Sequence, residues 1–256
     1  MSIDYYASFP CKVREAISDS DLLRMEKARN RANAVLDIMR KNPNTDKSKP
    51  EIDWTFQTVV LRPDGPQETQ MRIGDLLAEA APLDSLKQHC QNCPANVRNQ
   101  DFGCGGGIHY PLSASTERWL VSRLPDDLKS ARGTLFTHAI ADFKYDGAYI
   151  DAARGRKELY DSSTPAERKW GSFFSKKTRI TSSQILHMAF GVGNLSPGHA
   201  KLVAYFLGFL NDDFSPKDTL ADLPQPGDER GVAEMKYFFT VAALAGINNV
   251  SVLVDA

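Results

Sequence analysis

Residues 90–111 read CQNCPANVRNQDFGCGGGIHYP, and three of the chain's four cysteines fall inside this one stretch. Cys90 and Cys93 are separated by two residues, a gap that lets the backbone turn and present both sulfurs to one ion. Cys104 follows after ten intervening residues, embedded in glycines at 103 and 105–107. Together with Asn92 these glycines permit tight turns, and exposed amides among them can donate to thiolate sulfur, so the stretch reads as a ligand-wrapping loop. Cys11, far upstream, follows Pro10 at the start of a helix through Val13 and Ala16, where free amides and the positive dipole end favour a thiolate. The expectation is a four-cysteine site of Cys11, Cys90, Cys93 and Cys104. One ion there would tie the segment near Cys11 to residues 88–110.

Two inorganic centres suit four thiolates. Zinc asks least of its surroundings and acts as a structural clamp. A [4Fe-4S] cluster is the alternative, although the ferredoxin run CxxCxxCxxxCP is absent, as is the second CxxC of a zinc ribbon. His89 or His109 can replace Cys11 as a zinc ligand, and a three-ligand site with water would become a Lewis-acid centre. Covalent chemistry is a further alternative: Cys90 and Cys93 as a redox pair with a helix starting at Pro94, or Cys104 as a nucleophile with His109 as its base. Without a shared centre, the four are separate buried or surface thiols.

Working outward, 256 residues with 42% hydrophobic content can fill a sizeable core. Thirty-one Lys and Arg against 32 Asp and Glu leave a formal charge of −1, which gives no global attraction for nucleic acid or anionic lipid. Four cysteines are too few for a disulfide-built scaffold, and MSIDYYASFP lacks the pattern of a signal peptide, so a cytoplasmic setting is expected. The apolar runs LVAYFLGFL from 202 and YFFTVAALAG from 237 fall short of the roughly 20 residues that span a bilayer, so no membrane insertion is expected.

Spacing and caps predict the local elements. Ser18 caps a helix whose face runs Leu22, Met25, Ala32, Val35, Leu36 and Met39, with a basic surplus including Arg24 and Arg40 on its other side. Residues 42–51 read as a loop and 54–65 as a strand closed by a turn. Helical spacing resumes at Ile73, Leu76, Leu77 and Ala80, and Pro82 ends it. Ser113, Ser115 and Thr116 open a helix through Trp119, Leu120 and Leu124. Another carries Phe136, Ile140 and Phe143, continuing past Gly147 to Tyr149 and Ile150. Thr181 with Gln184 has capping-box spacing, and Ser196-Pro197 has cap-then-proline order, giving a helical pair around GVGNLSP. That pair matches a helix-turn-helix in length, but its second helix carries Phe206, Phe209 and Leu210 where base contacts would be needed. A final helix spans 232–244 and a strand Val250–Val254.

Two further groups of residues can carry chemistry. His138 and Asp142, four apart, could share a helix face near Asp146 and Asp151, as a relay or as surface pairs, and Asp151 can neutralise Arg154. The basic runs 154–157 and 176–179, flanked by Tyr145, Tyr149, Tyr160, Trp170, Phe173 and Phe174, could contact phosphate and stack on bases. GCGGGIH lacks both the P-loop ending and the dinucleotide GxGxxG. The predicted fold is therefore a single α+β domain over 1–256, mainly helical, with a small sheet and a cysteine-rich metal-binding loop. The predicted role is a metal-stabilised interaction or regulatory protein with a protein partner; an iron-sulfur enzyme or electron carrier, and a nucleic-acid-binding protein, are the alternatives. No catalytic residue is assigned.

Overall fold

The computed structural model describes residues 2–62, 65–93, 95–156, 159–171, 177–217 and 222–255. In chain order the elements are β1 (Ser2–Ala7), α1 (Lys12–Ala16), α2 (Asp19–Lys41), β2 (Thr55–Arg62), β3 (Gly65–Arg72), α3 (Ile73–Ala80), α4 (Leu83–Leu86) and β4 (Gly105–His109). There follow α5 (Ala114–Ser122), α6 (Ala131–Asp142), α7 (Ala148–Arg154), β5 (Glu167–Trp170), β6 (Thr178–Thr181), α8 (Ser182–Phe190), α9 (Pro197–Phe206), α10 (Arg230–Ile247) and β7 (Val252–Asp255). The described residues are mainly helical with small sheets. They form two compact units: Cys11–Cys90, and Met1–Pro10 together with Gln91–Ala256.

In the smaller unit, Ser18 Oγ accepts from the Asp21 amide at 3.1 Å and starts α2. Ala28, Ala32 and Leu36 of that helix form a core with Trp54, Ile73 and Leu76. The basic face of α2 is spent locally: Arg40 makes a two-pronged ion pair with Glu51 at 2.7 and 2.6 Å, and Arg24 pairs with Glu79. Strands β2 and β3 form an antiparallel hairpin, Thr55 opposite Arg72. The sequence reading ended the strand at this turn; the return strand carries polar Gln67, Glu68, Thr69 and Gln70, which give no apolar alternation.

The larger unit is built on an antiparallel sheet of order β4-β1-β7, in which Tyr5 lies opposite Gly106 on one side and Val254 on the other. Helix α10, apolar on nearly all sides, packs against the sheet: Tyr5 meets Phe238 edge-on at 5.0 Å, and Phe190 meets Phe238 at 4.8 Å. Helix α9 crosses α10 where a Cβ at Gly246 would lie 2.7 Å from the Lys201 backbone, so only glycine allows that approach. The helical pair read from Thr181–Gln184 and Ser196–Pro197 is α8 and α9, with both halves of the capping box formed. Phe206, Phe209 and Leu210 are buried, as core packing requires. Gly147, at φ +78, separates α6 from α7, so the helix expected to continue past it is two. No described helix is long and apolar enough to cross a membrane.

Candidate functional site

The expected metal centre is not formed. Among the described residues no group of three or more His, Cys, Asp or Glu side chains could hold a metal ion, whereas thiolate ligation needs sulfurs converging to about 2.3 Å from one zinc. This corrects the metal-binding loop in the predicted fold, both the zinc and the [4Fe-4S] assignments, and the metal-stabilised and iron-sulfur functions built on them. Cys11 is the N-cap residue of α1 and makes no side-chain capping bond, and Cys90 closes a short 3-10 turn and is buried; both belong to the smaller unit. Cys93 and Cys104 belong to the larger unit, partly exposed, their carbonyls accepting from the Asn96 amide at 2.9 Å and the Ala7 amide at 3.2 Å. Pro94 lies outside the described residues.

The glycines have a different purpose from ligand wrapping. Gly105, Gly106 and Gly107 are strand residues paired with β1, and neighbouring side chains fill the space their own would need. A Cβ at 105 would lie 2.4 Å from the Tyr6 ring, one at 106 would lie 2.2 Å from Arg98 Nη1 and 2.8 Å from Tyr5 Oη, and one at 107 would lie 2.6 Å from Asp4 Oδ1. Bare backbone here lets large side chains lie flat on the sheet. His109 is tied to Glu234, through its amide at 2.8 Å and Nδ1 at 2.7 Å. His89 is exposed, as are His138 and Asp142 on α6. Asp146 precedes the Gly147 cap of α7 and accepts from the Ala148 amide at 2.9 Å.

What the larger unit does hold is a cavity of about 90 Å³. Ile3 of β1 and Ile108 of β4 form its floor, with Tyr110 and Leu112 just beyond β4. Helix α7 contributes Tyr149, Ile150 and Ala153, spaced so that one helical face lines the space, and Phe190 closes it from the end of α8. The last wall is Leu159 and Tyr160, held alongside Leu112 by a two-bond bridge: the Leu112 amide donates to Leu159 O, and the Asp161 amide to Leu112 O, each at 2.9 Å. Tyr149, 64% exposed, marks the mouth.

Behind Tyr160 lies a buried polar network. The Arg154 guanidinium carbon sits 4.5 Å from the Tyr160 ring centroid. Arg154 is 3% exposed and Glu117 1%, and they form a forked pair with Nη1 to Oε1 at 2.7 Å and Nη2 to Oε2 at 2.5 Å. The other guanidinium protons go to Ser183 Oγ at 3.0 Å, Ser162 O at 3.1 Å and Ser182 Oγ at 3.3 Å, so all five N–H groups have acceptors. Ser182 Oγ donates in turn to Glu117, and Ser183 Oγ to Asp151 at 2.7 Å. Arg154 therefore cannot supply the phosphate contact read from the basic run 154–157, since its charge is buried and matched. Lys157, Phe173, Phe174 and Lys176 from those expectations lie outside the described residues. Burial pushes the Tyr160 hydroxyl up to about 12, against the pull of Arg154.

Tyr149 and Tyr160 were visible in the sequence only as stacking candidates, and Glu117 gave no signal, lying 37 residues from its partner. No family model, no curated protein and no solved structure matches this chain.

Proposed function

We propose that the larger unit binds a small, uncharged, predominantly apolar molecule in the cavity between α7, β4 and residues 159–160. One observation carries this reading: the lining is entirely aliphatic or aromatic, and the Arg154 and Glu117 charges behind it are paired with each other. An apolar occupant would displace water from this apolar lining, which favours binding. It is smaller than the about 150 Å³ that encloses benzene, so the part of the ligand inside is roughly four non-hydrogen atoms, with Tyr149 against whatever projects from the mouth. A cytoplasmic setting belongs to the same proposal, supported by the low cysteine content.

The test is a titration of the full chain, isotopically labelled at isoleucine methyls, with short branched alcohols, ketones and alkenes. Saturable shifts confined to Ile3, Ile108 and Ile150 are expected. Ala153→Leu, which puts a side chain into the space, should abolish them while thermal unfolding stays near that of the parent. Absence of localised shifts with every compound refutes the reading.

A further inference from the structure

Tyr5 and Arg98 come together at Gly106, beside α10. Tyr5 and Gly106 are opposite one another in β1 and β4, so both side-chain positions face the same side of the sheet. Because residue 106 has no side chain, the Tyr5 ring reaches across β4. The point where a Cβ would stand is 2.8 Å from Tyr5 Oη and 2.2 Å from Arg98 Nη1. The Arg98 guanidinium lies over the Tyr237 ring of α10, 5.2 Å from its centroid.

The protein matches neither group. Tyr5 is 0% exposed, and among the described residues Tyr5 Oη and the buried Arg98 Nε have no hydrogen-bond partner. Native proteins seldom leave buried donors in this state. Arg98 also makes no ion pair among the described residues; its contact is with the face of a ring. Two carboxylates act on Tyr5 electrostatically, Glu234 and Asp4, and both are engaged elsewhere. Glu234 Oε2 accepts from the His109 amide at 2.8 Å, and Oε1 bonds His109 Nδ1 at 2.7 Å and Arg230 Nε at 2.8 Å. Asp4 points to the opposite face of the sheet from Tyr5 and accepts from Ser2 Oγ at 2.9 Å. Burial pushes the Tyr5 hydroxyl far above its ordinary range, against the pull of Arg98, so it keeps its proton and can donate.

We propose that Tyr5 Oη and the Arg98 guanidinium form a binding site for a small monocarboxylate, whose oxygens accept from both. Neither residue lines the apolar cavity, so this is a second site. A planar guanidinium suits a carboxylate, and one unmatched positive charge calls for one negative charge. A dianion would bring its second charge toward Glu234, and a neutral ligand would leave Arg98 unmatched. Arg98 is partly exposed and gives the ligand its way in from solvent.

The experiment titrates the full chain, labelled at tyrosine Cζ and arginine Nε, with sodium acetate, acetamide and inorganic phosphate at neutral pH and fixed ionic strength. Acetate should move the Tyr5 and Arg98 resonances saturably, half-complete below about 50 mM. Acetamide, of the same shape without the charge, should leave them still, and phosphate should bind about tenfold more weakly. Arg98→Gln should abolish the acetate response at Tyr5. Tyr5→Phe should weaken acetate at Arg98 about tenfold, the loss of one charge-assisted hydrogen bond. Wild-type resonances that do not move with acetate overturn the proposal without any variant having to fold. So do an equal response to acetamide, phosphate binding as tightly as acetate, and full acetate affinity in folded Tyr5→Phe.

Discussion

Replacing Glu117 by glutamine tests the polar network behind the cavity most directly. The change keeps shape but removes the charge that faces Arg154 through contacts of 2.7 and 2.5 Å, and puts an amide N–H₂ where Arg154 Nη2 and the Ser182 hydroxyl now donate. Arg154, 3% exposed, is then left with one carboxylate, Asp151, at 3.7 Å and half exposed to solvent. Breaking a buried pair on one side costs about 3–5 kcal/mol, and the residual Asp151 contact puts Glu117→Gln near the lower end, about 3 kcal/mol. At roughly 2–4 °C per kcal/mol for a body of this size, the melting temperature should fall by roughly 6–12 °C. Urea unfolding of wild type, Glu117→Leu, Arg154→Met and the double variant Glu117→Leu with Arg154→Met gives the coupling between the two sites, with Glu117→Gln measured beside them. The double variant should recover most of the loss, because it leaves no uncompensated charge. A loss below about 1 kcal/mol for Glu117→Gln, or additive losses in the double variant, refutes the claim that this pair is a matched, buried unit.

Three other outcomes are expected. Gly105→Ala should destabilise by about 1–3 kcal/mol, since its methyl would press on the buried Tyr6 ring; unchanged urea unfolding would show that the strand glycines are not there for close approach. The Tyr160 hydroxyl titrates near 10 when unfolded and about 12 when folded, so its contribution is fully present below pH 10 and fades as pH rises between about 10 and 12; a shallower alkaline loss in Tyr160→Phe is the check. His199 is held below its ordinary range, chiefly by burial, with the opposing hydrogen bond to Met188 O at 2.8 Å; stability should fall as pH drops through the acidic side of the histidine range, less so in His199→Gln, and an NMR titration placing His199 above free histidine would contradict this.

Local chemistry made part of the fold legible. The Ser18, Ser113, Thr181 and Ser196 caps each involve an amide three residues on, so the residues that stop and start those helices sit side by side in the sequence. The glycine run was misread for the opposite reason. Nothing in GCGGGIH announces a strand, because the rings and guanidinium that occupy its missing side chains belong to Tyr5, Tyr6 and Arg98. Likewise the pairing of cysteines by spacing assumed that nearness along the chain means a shared centre, whereas Cys90 turns into a core and Cys104 leads into a strand. The cavity was invisible because its walls come from β1, β4, α7, α8 and an irregular segment, and the polar pair behind it joins residues with no periodic relation.

The position of β1 has a consequence for how the chain is made. Both edges of Ser2–Ala7 stay unpaired until partners arrive, Gly105–His109 on one side and then Val252–Asp255 on the other. During synthesis this strand is made before both of its partners, with the whole Cys11–Cys90 unit produced in between. For most of that interval it offers open hydrogen-bonding edges to any other extended segment, including those of sister chains on the same polysome. Closure of the sheet is thus a late event, and chains interrupted before residue 252 should be prone to aggregate.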